Sequence, residues 1–250
     1  MKMPPIRPAL FAALMLTASP ALAFDPAQMS DAERDAFGAA VKAYLMENPQ
    51  VIIEAVNELE ARKAAAEAET DKMLVANYKA EIFDDGYSWV AGNPNGDVTL
   101  VEFMDYRCGY CRKAQPEVES LLSEDGNIRL IIKEFPILGE ASLLSSRFAI
   151  ATKIVAGDEA YGQVHEALMQ MSGDLGEVEL RRLADGLGLD TEGIMAQMDS
   201  KEVNRVIASN HDLAQRLQIN GTPTFILPSQ MIRGFVPAAH MEQLIEDERS

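Results

Sequence analysis

The sequence predicts an α/β domain with a long helical insertion and a helical arm in front of it. Three observations predict it. Val98 to Tyr106 reads as a buried strand and Ile128 to Glu134 as a second strand, on either side of a helical stretch, Cys108 to Leu122, and together they make a strand–helix–strand unit of the length a parallel crossover needs. From Gly139 to Leu217 the pattern is helical throughout, and two short strands and a closing helix follow it. Ahead of residue 84 the pattern is helical only.

Taken in order, the chain opens on a targeting signature. Lys2 and Arg7 give a positive start, Ala9 to Leu16 is an apolar run, and Ala21-Leu22-Ala23 is a small-x-small cleavage site. Residues 1–23 are expected to be a signal peptide cleaved after Ala23, which predicts export to the periplasm. No later stretch approaches the roughly 20 apolar residues of a membrane span, so the mature chain is expected to have none.

Residues 24–83 are expected to form a helical oligomerisation arm and linker. Ser30 with Glu33 is a capping-box pattern, followed by Phe37, Val41, Tyr44 and Leu45 at helical spacing. Asn48-Pro49 restarts the helix as cap and first residue. Ile52, Val56 and Leu59 continue the seam, which fades through Lys63, Ala66, Thr70 and Met73. Residues 60 to 72 are almost all alanine and charge, with no apolar set of their own.

Residues 84–250 are expected to be the catalytic domain. Asp84-Asp85-Gly86 and Asn93-Pro94-Asn95-Gly96-Asp97 supply turns ahead of the first strand, and Asp125-Gly126-Asn127 turns the chain into the second. The helical insertion is placed at about 139–200. Asn220-Gly221 ends its last helical neighbour, Pro223 to Leu227 and Met231 to Phe235 read as strands, and Pro237 to Glu246 reads as a helix.

Composition narrows the function. The 39 acidic residues outnumber 22 basic ones, a field that repels phosphate backbones and argues against nucleic acid as a partner. Cys108 and Cys111 are the only cysteines, too few for a disulfide scaffold or a four-cysteine zinc site. A bridge between residues three apart closes almost no loop, so it stabilises little through chain entropy. A redox role explains the pair better.

Cys108-Gly109-Tyr110-Cys111 falls where the strand ends and the helix begins. There the free backbone N–H groups and the positive end of the helix dipole favour a thiolate at Cys108, while Cys111 sits one turn in, close enough to attack a mixed disulfide. His165, His211 and His240 are scattered over helices and read as surface or core residues. Met169, Met171, Met195 and Met198 have core-like spacing rather than that of a copper box. Neither a metal nor a cofactor is expected.

Gly221-Thr222-Pro223-Thr224 opens a strand directly at a proline, which by itself reads as a simple breaker. With the C-x-x-C pair and the helical insertion, these residues resemble the thioredoxin-like thiol–disulfide oxidoreductases of the DsbA class. The resemblance implies a thioredoxin-like fold with an inserted all-helical subdomain, and a cis proline at Pro223 lying against the sulfurs. Thr222 would then offer backbone groups to a bound peptide.

Glu102 lies on the strand face shared by Val98, Leu100 and Met104, where a carboxylate is costly unless paired, protonated or reaching solvent at a sheet end. The resemblance implies a buried acid that shuttles protons to the second cysteine, with Lys133 as its neighbour. Tyr110 and Arg107 read equally well as exposed loop residues. Strong oxidants of the class carry Pro-His between the cysteines; Gly109-Tyr110 lacks that cation, so a milder poise is expected. Gly-Tyr with Thr before the proline is similar to the isomerase DsbC and to the suppressor-of-copper-sensitivity ScsC group, which also carries an N-terminal oligomerisation arm.

The sequence therefore predicts a disulfide isomerase or reductase working on exported cysteine-containing proteins as a homo-oligomer, with a membrane redox partner. The alternatives are a dithiol oxidase and a periplasmic protein that binds Cu(I) through both thiolates.

Overall fold

The computed structural model describes residues 29–173 and 175–250, so the expected signal peptide lies outside the described residues. The fold divides between residues 60 and 61 into two compact units.

The first unit holds α1 (Asp31–Glu47) and the opening turns of α2 (Gln50–Asn77). The expected capping box is present: the Ser30 hydroxyl accepts from the Glu33 N–H, and the Glu33 carboxylate accepts from the Ser30 N–H at 2.9 Å. No residue from 29 to 60 is buried.

The second unit is built on a sheet of five strands among the described residues, in the order β1-β3-β2-β4-β5. These are β1 (Trp89–Gly92), β2 (Val98–Met104), β3 (Ile128–Glu134), β4 (Thr224–Leu227) and β5 (Gln230–Arg233). Only β2 and β3 run parallel, joined by the crossover helix α4 (Gly109–Glu124); the other pairs are antiparallel. A short helix, α3 (Lys79–Phe83), precedes β1. The insertion holds α5 (Glu140–Gln170), kinked where Gly157 takes φ +86°, then α6 (Glu177–Gly186), α7 (Thr191–Gln197) and α8 (Lys201–Arg216). Helix α9 (Ala238–Glu248) closes the unit. This is the thioredoxin-like arrangement with an inserted helical subdomain.

Alternation along the strands sends side chains to two cores. Leu100, Met104, Leu130 and Ile132 pack with α4, α5 and α9 on one face. Val101, Phe103, Ile131 and Ile226 pack on the other with Val75, Ile82 and Leu213. That second core moves the expected boundary at residue 83. Val75 and Ile82 are 1% and 0% exposed, and Asp71 is buried in a bidentate ion pair with Arg233 of β5. The end of α2 and all of α3 therefore belong to the catalytic unit, because they cover its sheet.

Candidate active site

Strand β2 ends at Met104, and the next three residues aim Cys108. Asp105 is fully buried and organises this loop: one carboxylate oxygen accepts from the Arg107 N–H at 2.7 Å, the other from Ile137 and Leu138 N–H at 2.8 and 3.0 Å. Its carbonyl accepts from the Cys108 N–H at 3.0 Å. Arg112 Nε donates to the Tyr106 carbonyl at 2.8 Å, tying the loop to the first turn of α4.

Cys108 is the N-cap of α4. Its Sγ lies 3.2 Å from the Thr222 carbonyl, and the Thr222–Pro223 peptide is cis. The structure thus brings together the two motifs that are 114 residues apart in sequence. Gly109 faces open space and Tyr110 is 63% exposed, so the dipeptide between the cysteines is open to a macromolecule. Both cysteines are free thiols. Cys111 is fully buried, and burial, reinforced by the nearby Glu102 charge, drives its thiol far above the ordinary range.

Glu102 is 1% exposed on the face that carries α4, and burial pushes its carboxyl up to about 8. Lys133 is not its neighbour. In the parallel register Glu102 faces Ile132 while Lys133 pairs with Phe103, so the two side chains leave opposite faces of the sheet. Lys133 is fully buried in an ion pair with Asp85 and donates to the Glu81 carbonyl at 2.8 Å. Burial lowers the lysine's proton affinity, and the Asp85 charge opposes that loss. Its place is structural, joining β3 to the segment before β1.

Sequence reasoning missed a buried cluster behind the loop. Glu134, at the end of β3, is hydrogen-bonded to the hydroxyls of Tyr106 (2.8 Å), Tyr161 and Ser146 (2.7 Å). The Tyr106 hydroxyl also lies 3.1 Å from His165 Nδ1, and His165 Nε2 lies 3.3 Å from Gln115 Oε1 of α4. Burial raises Glu134 to about 7 and lowers His165 to about 4. The one available signal was a Lys-Glu pair ending a strand whose Leu130, Ile131 and Ile132 are apolar.

Among the described residues no group of three or more His, Cys, Asp or Glu side chains is arranged to hold a metal, and no helix is long and apolar enough to cross a membrane. The arrangement offers one sulfur at a helix start that keeps 7% of its residue's surface exposed, a second, fully buried sulfur one turn on, an acid beneath it, and a cis-proline loop opposite.

Comparison with known proteins agrees with this geometry. A thioredoxin-like oxidoreductase from Silicibacter pomeroyi is 42% identical, with a TM-score of 0.64, over 68% of this chain and 96% of that one. BcfH of Salmonella enterica Typhimurium is 26% identical, with a TM-score of 0.71, over 86% of this chain and 95% of that one. The chain spans about a fifth of the length of the first curated relatives it matches: the Na(+)/H(+) antiporter NhaA 3 of Salinispora tropica is 28% identical over 145 residues, 58% of this chain and 22% of that protein. Residues 33–66 match the copper resistance protein ScsC N-terminal domain, and residues 99–246, more than half of the chain, match the DSBA-like thioredoxin domain. The chain belongs to the DSBA-like thioredoxin domain family.

Proposed function

We propose that this protein is a periplasmic thiol–disulfide oxidoreductase that exchanges disulfides with exported proteins and works as an isomerase or reductase. The observation that carries it is the Cys108 sulfur, held at the start of α4 and 3.2 Å from the carbonyl before cis-Pro223, with Cys111 buried one turn behind. The Cys108 thiolate attacks a client disulfide and forms a mixed disulfide, and the client's other sulfur leaves as a thiolate. In isomerisation that thiolate, or another in the client, attacks back. In reduction Cys111 gives its proton to the fraction of Glu102 that is ionised and attacks Cys108, releasing the client thiolate and leaving the Cys108–Cys111 disulfide for a membrane donor to reduce. An acid that titrates near 8 is matched to taking and returning that proton close to neutrality.

Thr222 and Pro223 supply the edge on which a client strand lies, and Gly109-Tyr110 sets a mild poise. Residues 1–23 direct export, and the arm assembles several copies, placing more than one active site around one client. The test is Cys108→Ser. Exchange with a scrambled protein substrate is expected to fall to background, and undiminished turnover overturns the assignment. Tight stoichiometric Cu(I) binding by the reduced protein, with negligible exchange, would overturn it in favour of a copper carrier.

A further inference from the structure

The Glu134 cluster reaches the two elements that carry the redox pair, the loop before Cys108 and helix α4. Tyr106 lies two residues before Cys108, and Gln115 lies four residues after Cys111 on α4. Tyr106, Tyr161 and His165 are 0%, 1% and 3% exposed. A cluster buried this completely must satisfy its hydrogen bonds internally, so the positions of its protons can be worked out.

The far end fixes the direction. The Gln115 amide nitrogen donates to the Glu119 carboxylate at 2.9 Å, which turns Gln115 Oε1 toward the ring of His165. An oxygen there requires Nε2 to carry hydrogen. A neutral imidazole then presents Nδ1 as an acceptor, and it accepts from the Tyr106 hydroxyl. The Tyr106 hydroxyl has one hydrogen for two acceptors, so it serves the ring only while a protonated Glu134 donates to its oxygen, and with an ionised carboxylate it donates to Glu134 Oε1, 2.8 Å away. Losing that proton reverses every link: Tyr106 donates to Glu134, His165 changes tautomer, and Gln115 either loses the ring or leaves Glu119.

We propose that Glu134 is a second acid of the redox centre, a positioning residue whose proton state is relayed through Tyr106 and His165 to Gln115 and so sets how the Cys108 loop and α4 are held during exchange. This rests on reading Cys108 and Cys111 as the redox pair, and it adds a group that the exchange chemistry itself does not touch. The ionisable groups facing Glu134 are Asp105 and Tyr106 from the loop, Tyr87 from the segment before β1, Tyr161, His165 and Lys153 from α5, and Glu102 from the same face of β2. Asp105 is held by backbone N–H groups and Lys153 by Asp158 at 3.0 Å. Asn210 of α8 donates to the Glu134 carbonyl, not its carboxyl, and accepts from the Tyr87 hydroxyl at 3.2 Å. Glu134 is thus the carboxyl with a hydroxyl chain leading to α4.

The molecule contains its own probe. Trp89 is the only tryptophan, and its ring centroid lies 5.0 Å from Tyr161 and 5.5 Å from His165. Coupling is reciprocal: if the proton on Glu134 alters the redox pair, then the redox state must alter the proton affinity of Glu134. The experiment titrates Trp89 emission of the full-length protein from pH 5 to 9 in the oxidised and the reduced state. The expected result is a transition near neutrality whose midpoint differs between the two states by at least about half a unit, roughly threefold in proton affinity. Glu134→Gln removes the transition. Tyr106→Phe keeps the ring, cuts the relay, and makes the midpoints coincide. Coincident midpoints in the wild type, which need no variant to fold, overturn the proposal. So does an unaltered transition in Glu134→Gln or an unaltered midpoint difference in Tyr106→Phe. None of these outcomes bears on Cys108, whose role fails only if Cys108→Ser retains exchange.

Discussion

Residues 29–60 and residues 61–250 both place apolar side chains at helical spacing, but only the second unit covers them. In the catalytic unit Leu100, Val101, Phe103 and Met104 of one strand are all fully buried, shared between the two faces of the sheet. In the arm Val41, Tyr44, Ile52, Ile53, Val56 and Leu59 are 41% to 61% exposed. Isolated helices in water draw little stability from propensity alone and depend on packing of an apolar face. The first unit has the face without the packing, and the second has both. Helical periodicity therefore reports that a face exists, while burial reports what, within the chain, completes it.

The sharpest way to probe this contrast is to cut the chain at two places. Removing residues 24–60 takes away no buried side chain of the catalytic unit, and simple dithiol oxidation is expected to survive. Removing residues 24–83 also removes Val75, Ile82 and the Asp71 partner of Arg233. Losing the two apolar side chains alone costs about 3–6 kcal/mol, set against the roughly 5–15 kcal/mol that holds an ordinary domain together. The longer deletion is expected to unfold or to melt far below the shorter one by circular dichroism. Equal melting would show that the end of α2 belongs to the arm.

The next largest effect lies inside the catalytic unit. Glu102 holds its proton up to about pH 8 when folded, against an ordinary value of 4.5. The folded state therefore binds more protons than the unfolded chain between those values, and this contribution to stability is present below pH 4.5 and lost as pH rises toward 8. Glu134, raised to about 7, acts in the same direction over a narrower window. Glu102→Gln should match the wild type in urea at pH 5. At pH 8 it should exceed it by an amount on the order of a few kcal/mol, while transfer through Cys111 slows. A variant no more stable than the wild type at pH 8 would show that Glu102 is ionised without cost.

The strand–helix–strand unit, the cysteine pair and the proline loop were legible because each has a local signature: apolar runs of strand length, a cap position, a turn residue. Strand β1 was not, since Trp89–Gly92 is four residues long, half-buried, and flanked by turns that absorb it. The Glu102–Lys133 pairing failed for another reason. Each strand alternates faithfully, but the register between parallel strands depends on long-range packing, and a shift of one residue exchanges the faces. The arm's boundary was placed too late because Asp71 reads as a solvated charge until Arg233, 162 residues away, is beside it. The Glu134 cluster gathers residues 106, 134, 161 and 165 from separate elements, and no spacing rule announces such a meeting.

The smallest expected effect on stability is also the test of what the arm's face is for. Ile52, Val56 and Leu59 are 51%, 46% and 52% exposed, and their spacing of four and three residues places them on one stripe. Changing all three to serine removes apolar surface that nothing described in the chain covers, so the melting of the catalytic unit should move by no more than about 0.5 kcal/mol. If the stripe assembles copies of this chain, the same change removes the surface that drives assembly. Light scattering should then show the wild type above monomer mass and the triple variant at it, and the variant should lose disulfide shuffling while keeping single-turnover oxidation of a dithiol. That loss would follow from geometry rather than chemistry, because tethered active sites meet a bound client at high effective concentration and separate ones do not. A wild-type monomer breaks the argument at its first step. A triple variant that stays assembled breaks it at the second, and one that destabilises the catalytic unit shows that the stripe packs within its own chain.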